Sequence, residues 1–405
     1  MKPFRTTSID FPFQQCKNAK DHPRKPFIRS FGLLAGVPDP TSPNSADMLL
    51  PHLYGCAINP FVPEADDQIA VAVGLRNIYL YQLPVEKPEV HQLSCMTINV
   101  PEDKETLYTV TWCFDSLDKR KEHKIVCGGA GGVLYVIDGS TLKVDRELIG
   151  HTKDINDVRT CPTDSSLVVS CSKDRTVRVF HIREETCLLL LAGHVGHKDS
   201  VVTADWAFDA KTIMSAGFDQ KIMTWDLENP RVKEHLKKCL GRIQAGKPVA
   251  SFVPDLVSLE RLHSGEAIFD LEGHTLTINR PTCIVKDLHF DSIDCIRSIQ
   301  FGDTNYILSK AVGRERNITL WRNGLLDPTT GVHHPDEGIS KTFVEIWKKK
   351  MKNWQFLSYN LNTSQAHDVS FSTNGQILLC VCDGGLVVRL DRVPKAYKKE
   401  PEDLW

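Results

Sequence analysis

The sequence lacks the segments that would carry it into or across a membrane. Its longest apolar run, Cys187–Ala192, is far shorter than the roughly 18 residues that a membrane helix needs. The first ten residues, MKPFRTTSID, contain no apolar leader. We therefore expect a protein that stays inside the cell and does not bind membranes.

A strong basic excess and paired cysteines are missing as well. The 49 lysines and arginines are balanced by 51 acidic residues, whereas binding to nucleic acid through its phosphates needs clustered positive charge. The 13 cysteines contain no CxxC pair, which argues against a zinc ribbon and a disulfide framework. Cys380 and Cys382 are expected to point to opposite faces of a strand, so that they cannot share a metal ion. The sequence thus predicts no metal, no cofactor and no direct sequence-specific contact with nucleic acid.

What the sequence has instead is a repeated strand ending, which follows a turn that contains Gly or Asp. Its apolar residues recur with a period of two, which is typical of a half-buried strand. Seven such endings occur, at Ile78–Tyr81, Leu134–Ile137, Val177–Phe180, Ile222–Trp225, Ile318–Trp321, Val344–Trp347 and Val387–Leu390. Where nothing is inserted or missing they are about 43–56 residues apart, a spacing that resembles WD repeats, the four-stranded blades of a β-propeller. We therefore predict an all-β fold, a seven-bladed WD-repeat β-propeller.

Two of the repeats carry polar side chains that can hold a blade together. Each is preceded by a Gly-His pair and has an Asp six residues before its closing aromatic residue. We expect each His to form one buried hydrogen-bonded chain with a strand Ser and the turn Asp, and we interpret these histidines as structural groups rather than metal ligands. The predicted members are His151, Ser170 and Asp174 in blade three, where Phe180 has no N–H to contribute, and His197, Ser215, Asp219 and Trp225 in blade four.

The regular spacing of the repeats is interrupted twice. Trp225 and Trp321 are 96 residues apart, so we predict that residues 228–291 form an insertion on the surface of a blade rim. Trp321 and Trp347 are only 26 residues apart, which is too few for four strands. The sixth blade is therefore predicted to be incomplete.

The two ends of the chain are predicted to meet in blade seven. The segment after Leu390 is charged and contains prolines, so it does not supply the outer strand, and an unpaired edge would otherwise be exposed. Residues 27–34, FIRSFGLL, are the candidate for that strand. The predicted domains are a basic tail over residues 1–26, the propeller over 27–395 and a second tail over 396–405.

Several segments resemble one family of WD-repeat proteins. They are LYTVTWCFDS at 107–116, GHTKDIND at 150–157, LLAGHVGHKDSVVTADW at 190–206 and VSFSTNGQILLCVCD at 369–383. The doubled AGHVGHKD is peculiar to the family. In these segments the chain is similar to the embryonic ectoderm development / extra sex combs family, the WD-propeller subunits of Polycomb repressive complex 2. The resemblance is weak in the insertion and fails across the sixth blade.

The resemblance implies a nuclear, non-catalytic scaffold that supports a SET-domain histone-lysine methyltransferase, with the other subunits of a complex of this type, in transcriptional repression. It also implies an aromatic cage for trimethyl-lysine on a histone tail, because ring faces attract a quaternary ammonium. Tyr54 and Tyr108 match the family's first two cage positions. Trp347 is either the cage tryptophan, followed by Lys348 where the family has a tyrosine, or the end of an ordinary closing strand, in which case the cage-bearing strand is absent.

The sequence offers no catalytic centre. CGGAGG at 127–132 precedes the strand VLYVI rather than a helix, so we interpret it as a hairpin turn and not as a phosphate loop. No Ser-His-Asp or Cys-His signature is present, and the protein is predicted not to be an enzyme. The alternative function is that of a general WD-repeat adaptor, for example in a ubiquitin ligase, which would not prefer methylated peptides.

Overall fold

A computed structural model describes most of the chain between residues 52 and 392 and three short strands before it. The described ranges are 27–33, 37–38, 48–49, 52–87, 89–101, 104–115, 117, 122–249, 256–264, 275–286, 288–301, 304–312, 318–322, 366–382 and 385–392. These residues belong to two compact units. The smaller unit comprises residues 1–102 and 361–405, and the larger one comprises 103–360.

The smaller unit contains two four-stranded antiparallel sheets, which correspond to predicted blades one and seven, and a short ribbon. The strands that precede and form blade one are β1 (Phe27–Leu33), β2 (Val37–Pro38), β3 (Met48–Leu49), β4 (Gly55–Ile58), β5 (Gln68–Gly74), β6 (Asn77–Leu83) and β7 (His91–Thr97). Blade one has the order β4-β5-β6-β7, and β2 pairs with β3 in the ribbon.

The larger unit contains blades two to five. Their strands are β8 (Leu107–Phe114), β9 (His123–Gly129), β10 (Leu134–Asp138), β11 (Val144–Leu148), β12 (Ile155–Thr160), β13 (Leu167–Ser172), β14 (Val177–His181), β15 (Leu189–Leu191), β16 (Val201–Trp206), β17 (Thr212–Gly217) and β18 (Ile222–Asp226), followed by β19 (Leu276–Ile278), β20 (Cys283–Val285), β21 (Ile293–Phe301), β22 (Thr304–Ala311) and β23 (Ile318–Arg322). Blade two is the antiparallel sheet β8-β9-β10-β11, and its β9–β10 turn is the hairpin predicted at CGGAGG, with Gly132 at φ 71°.

Blade seven joins the first described strand of the chain to the last three. These are β24 (Ala366–Phe371), β25 (Ile377–Cys382) and β26 (Leu386–Arg392). β1 pairs antiparallel with β26 over seven residues, with Phe27 opposite Arg392 and Leu33 opposite Leu386. The predicted completion of blade seven by the beginning of the chain is confirmed.

The apolar core lies between neighbouring sheets of each unit. In β13 all six residues are buried, because its alternate side chains face different neighbours. Val168 packs in the cluster between blades two and three, whereas Val169 packs in the cluster between blades three and four. A strand that is buried on both faces therefore has a nearly continuous apolar sequence, as LVVSC does here.

Polar side chains also join the first strands of neighbouring blades. In the larger unit Thr109 Oγ1 accepts a hydrogen bond from the Val158 backbone N–H at 3.1 Å. In the smaller unit Asp368 Oδ2 accepts one from the Cys56 N–H at 3.0 Å. Such bonds satisfy backbone donors that no ladder partner reaches, and they fix the height of one strand against the next.

The segment 228–291 differs from the predicted surface excursion. It contains two helices, α1 (Pro230–Gln244) and α2 (Leu256–Ser264), and it also completes two sheets. β20 pairs antiparallel with β18 as the fourth strand of blade four, and β19 pairs in parallel with β15 as a fifth strand of blade three. The insertion therefore covers an edge that blade three would otherwise leave unpaired.

Helix α1 packs on the blades with one face. Asn229 caps it by accepting the Arg231 N–H, and Pro230 occupies its first position, where no N–H is needed. Val232 and Cys239 join the core cluster of blades three and four. The expectation of an incomplete sixth blade, including Val344–Trp347, concerns residues outside the described ranges.

Candidate functional site

The side chains predicted to hold blade three together lie in hydrogen-bonding contact. His151 donates from Nδ1 to Asp174 Oδ2 at 3.0 Å, and its Nε2 lies 2.8 Å from Ser170 Oγ. Because a carboxylate only accepts, the ring carries its proton on Nδ1, and Ser170 therefore donates its hydroxyl proton to Nε2. Phe180 lies beside the imidazole, with ring centroids 6.3 Å apart, and the chain of hydrogen bonds ends there.

Two further residues of blade three belong to this network and were missed by the sequence analysis. Thr176 Oγ1 donates to Asp174 Oδ1 at 2.6 Å, and Arg178 donates from Nε to Thr176 Oγ1 at 3.2 Å. Burial opposes ionisation of Asp174, but its hydrogen bonds and the Arg178 charge hold the pKa of the carboxyl below its ordinary value. Burial lowers the pKa of His151, although the negative charge of Asp174 acts to raise it. The net effect is a lowered pKa, so the imidazole is neutral.

Blade four contains the longer version of the same chain. His197 donates from Nδ1 to the Asp219 carboxylate at 3.0 Å and accepts from Ser215 Oγ at 2.8 Å. Trp225 then donates its indole N–H to the same Ser215 Oγ at 2.9 Å. Burial alone would raise the pKa of Asp219, but the hydrogen bond from His197, the bond from the Lys198 N–H and the nearby Lys221 charge together leave the pKa lowered.

A third copy of this pair lies in blade five. His289 Nε2 is 2.8 Å from Ser309 Oγ, and both residues are buried. The separation of 20 residues is close to the 19 and 18 residues between the His and Ser of blades three and four. The spacing between His and Ser could have revealed this pair in the sequence. The pair was missed because Leu288 stands where the other two repeats have Gly.

Tyr108 occupies a β-bulge at the beginning of the first strand of blade two. Leu107 is opposite Gly129 and Thr109 is opposite Gly128, so Tyr108 has no partner position in the ladder. A bulge bends the strand and changes the direction of a side chain. The Tyr108 side chain is half-buried, and it lies in the larger unit.

Tyr54 occupies the corresponding position before the first strand of blade one, in the smaller unit. Its backbone N–H donates to the Val73 carbonyl at 2.9 Å, and Gly55 is also paired with Val73. The glycine after Val73 allows the close approach, because a Cβ on Gly74 would collide with the carbonyl oxygen of His52, as one on Gly129 would with that of Thr106.

Two imidazoles flank the Tyr54 ring. The His367 ring centroid is 5.2 Å away at an interplanar angle of 57°, and the His52 centroid is 6.4 Å away at 29°. His367 is itself the bulge residue of β24, between Ala366 and Asp368. Trp347, the third predicted cage residue, lies outside the described residues.

The bulge recurs in every blade that the structure describes from blade two onward. The residues at this position after Tyr108 are Asn156, Val202, Asp294 and His367. The backbone geometry is thus shared, whereas the chemistry of the side chain differs from blade to blade.

The expectation that Cys380 and Cys382 face opposite sides of their strand is wrong. Their sulfurs are 3.9 Å apart, because residues two apart in a strand lie on the same face. Within the described ranges, no group of three His, Cys, Asp or Glu side chains has an arrangement that could hold a metal ion. No helix in the same part of the chain is long and apolar enough to span a bilayer.

Comparison with known proteins agrees with the predicted WD repeats. The WD domain, G-beta repeat model matches residues 142–181 and 186–226, which contain the networks of His151 and His197. Polycomb protein mes-6 of Caenorhabditis elegans is 29% identical over 93% of this chain and 94% of that protein. Polycomb protein esc of Drosophila melanogaster is 24% identical over 84% of this chain and 81% of that protein.

Over most of its length the chain is thus similar to Polycomb proteins of the embryonic ectoderm development / extra sex combs type, with low sequence identity. A chain of the Chaetomium thermophilum Polycomb repressive complex 2, solved in complex with H3K27me3 and H3K27M, superposes with a TM-score of 0.60 over 90% of this chain and 97% of that one, at 13% identity. The fold is a WD-repeat β-propeller, as the sequence predicted.

Proposed function

We propose that this protein is the non-catalytic scaffold of a Polycomb-type histone-lysine methyltransferase complex. In this role it supports a SET-domain subunit in the nucleus and contributes to transcriptional repression. The proposal is supported by relatives that carry the name Polycomb protein and align over more than four fifths of their length. The similar chain of known structure is part of Polycomb repressive complex 2.

Within that complex, the protein binds trimethyl-lysine on a histone tail through Tyr54, Tyr108 and Trp347. The observation that carries this part of the proposal is the similar position of the two tyrosines, since Tyr54 directly precedes the first strand of blade one and Tyr108 lies at the beginning of the first strand of blade two. Both rings are half-buried, so each is held by the blade and still offers part of its surface. A quaternary ammonium against a desolvated ring face gains about 0.5–2 kcal/mol, and its methyl groups cannot use a hydrogen-bonding site instead.

Calorimetry with a trimethylated histone-tail peptide and its unmodified counterpart tests the reader role. The trimethylated peptide should bind more tightly, and Tyr108→Ala should weaken its binding by about 5–30-fold, which corresponds to the loss of one to two kcal/mol. Val202→Ala is the matched control, because Val202 has the same bulge position in blade four and no proposed role. Equal affinity for the two peptides would refute the reader role and leave the scaffold role standing.

The scaffold role has its own test, the copurification of a SET-domain methyltransferase with the tagged protein. We expect the methyltransferase to be recovered with wild type and with Tyr108→Ala alike, because Tyr108 is proposed to bind the peptide and not the partner. Recovery of ubiquitin-ligase subunits without a methyltransferase would support a general adaptor instead.

A further inference from the structure

Tyr54 has a neighbour whose role the proposed cage does not include. The His367 ring is 5.2 Å from the Tyr54 ring and tilted by 57°. Both residues belong to the smaller unit, where His367 is the bulge residue of β24 and Tyr54 directly precedes β4. Two neighbouring blades therefore contribute the side chains of one ring pair.

The contact is fixed by the backbone beneath it. Asp368, next to His367, accepts the Cys56 N–H, and Ser370 accepts the Ile58 N–H at 2.9 Å. These two bonds hold β24 beside β4, so the two ring-bearing strand ends keep their separation. His367 is exposed and Tyr54 is half-buried, so a cation on the Tyr54 ring would lie close to the imidazole.

We propose that His367 is a further wall of the trimethyl-lysine site and that its charge makes binding depend on pH. The proposal rests on the reader function proposed above. Histidine changes its charge between about pH 5 and 8. The neutral ring adds apolar surface beside Tyr54, whereas the imidazolium repels a quaternary ammonium that binds to the same tyrosine.

The other ionisable groups near His367 do not replace it in this role. Among the described residues, the strands against β24 contribute Cys56, Cys380 and Cys382; the hydrogen bond that Cys380 donates to Cys382 and burial raise the pKa of Cys380, which stays neutral. Asp368 is next to His367 in the chain, and both of its carboxylate oxygens accept backbone N–H groups, those of Cys56 and Val369. His52 stacks on Tyr54 at the longer distance of 6.4 Å, and it is therefore the histidine with which His367 is compared.

The experiment measures the affinity of the full chain for a trimethylated, histidine-free histone-tail peptide at pH 7.5 and at pH 5.5. Wild type should bind about 3–10-fold more weakly at the lower pH, the size of repulsion between two charges that are largely solvated. His367→Phe keeps a ring and removes the titration, so its affinity should be nearly the same at both pH values. His52→Phe is the matched control and should retain the dependence of wild type.

The outcomes separate this inference from the proposed function. If His367→Phe keeps the full pH dependence of binding, or if His52→Phe abolishes it, His367 does not have this role. The protein would then still bind the trimethylated peptide. If the trimethylated peptide binds no better than the unmodified one at either pH, the reader function is refuted and the role of His367 with it.

Discussion

Replacing Ser215 allows the hydrogen-bond network of blade four to be compared with that of blade three. Ser215 Oγ accepts the Trp225 indole N–H and donates to His197 Nε2, whereas Ser170 Oγ meets only His151 Nε2. All of these groups are buried. Ser215→Ala therefore leaves two buried polar groups without a partner, and Ser170→Ala leaves one.

The number of buried polar groups left without a partner determines how much each variant should lower the free energy of unfolding. A buried polar group that loses its partner costs about 1–3 kcal/mol. Ser170→Ala should lower the free energy of unfolding by about that amount, and Ser215→Ala by about twice as much. Trp225→Phe removes the second donor, as Phe180 does naturally in blade three, so Ser215→Ala in that background should cost only about 1–3 kcal/mol.

Equilibrium unfolding in urea of wild type, the two single variants of blade four and their double variant gives the coupling between Ser215 and Trp225. We expect a coupling free energy of about 1–3 kcal/mol, the cost of one unpartnered buried group, and Ser170→Ala measured in parallel supplies the cost of a single lost bond. A Ser215→Ala variant no less stable than Ser170→Ala, or a coupling near zero, would refute the argument that one hydroxyl serves two buried partners.

Three further predictions concern the bulge, the closing strand and the buried histidine. Gly129→Ala should lower the free energy of unfolding by about 1–3 kcal/mol because its Cβ meets the Thr106 carbonyl; Gly241→Ala in α1, where no atom lies within 4 Å, should be neutral or stabilising in the same thermal melts. Deletion of residues 1–33 removes β1 and exposes the β26 edge, so light scattering should detect aggregation that deletion of residues 1–26 does not cause. Because burial lowers the pKa of His151, the unfolded state binds the extra proton, and stability should fall as the pH drops below about 6.5; a higher melting temperature at pH 5.5 than at pH 7.5 would contradict this.

The parts of the fold that the sequence predicted are those where one local pattern suffices. Alternating apolar residues identified the strands, and the unpaired edge expected at β26 identified residues 27–33 as its partner. Helix α1 had local signals too, with Asn229 as its cap and Pro230 at its first position, but the repeat spacing assigned its region to an insertion as a whole. That assignment also hid β20, which is only three residues long and pairs with β18 across some 60 intervening residues, a distance over which no local pattern can choose the partner.

The candidate site was harder to predict because its members are held by position in the fold and not by a motif. Tyr54 and Tyr108 were proposed through family resemblance; nothing in LYT reveals the bulge at Tyr108, which is a property of the opposing glycine and its strand. His367 was missed altogether, since its distance from Tyr54 depends on β24 lying beside β4, more than 300 residues away in sequence. Cys380 and Cys382 were placed wrongly by an error about the period of a strand, which the sequence alone could have corrected.

At the bulge position, the backbone geometry is common to the blades of the propeller, whereas the identity of the side chain is particular to each blade. The backbone demands an extra residue there in blade after blade, yet the residue is Tyr108 in blade two, Asn156 in blade three, Val202 in blade four and Asp294 in blade five. Some of these side chains serve the fold, since Asn156 donates to the Val201 carbonyl and Asp294 accepts from Lys310. The His–Ser pair behaves differently, because the same chemistry returns in blades three, four and five. Among the bulge residues, binding specificity should therefore be sought at Tyr108 and His367, where substitutions should change what is bound with little effect on stability, whereas substitutions in the networks should do the reverse.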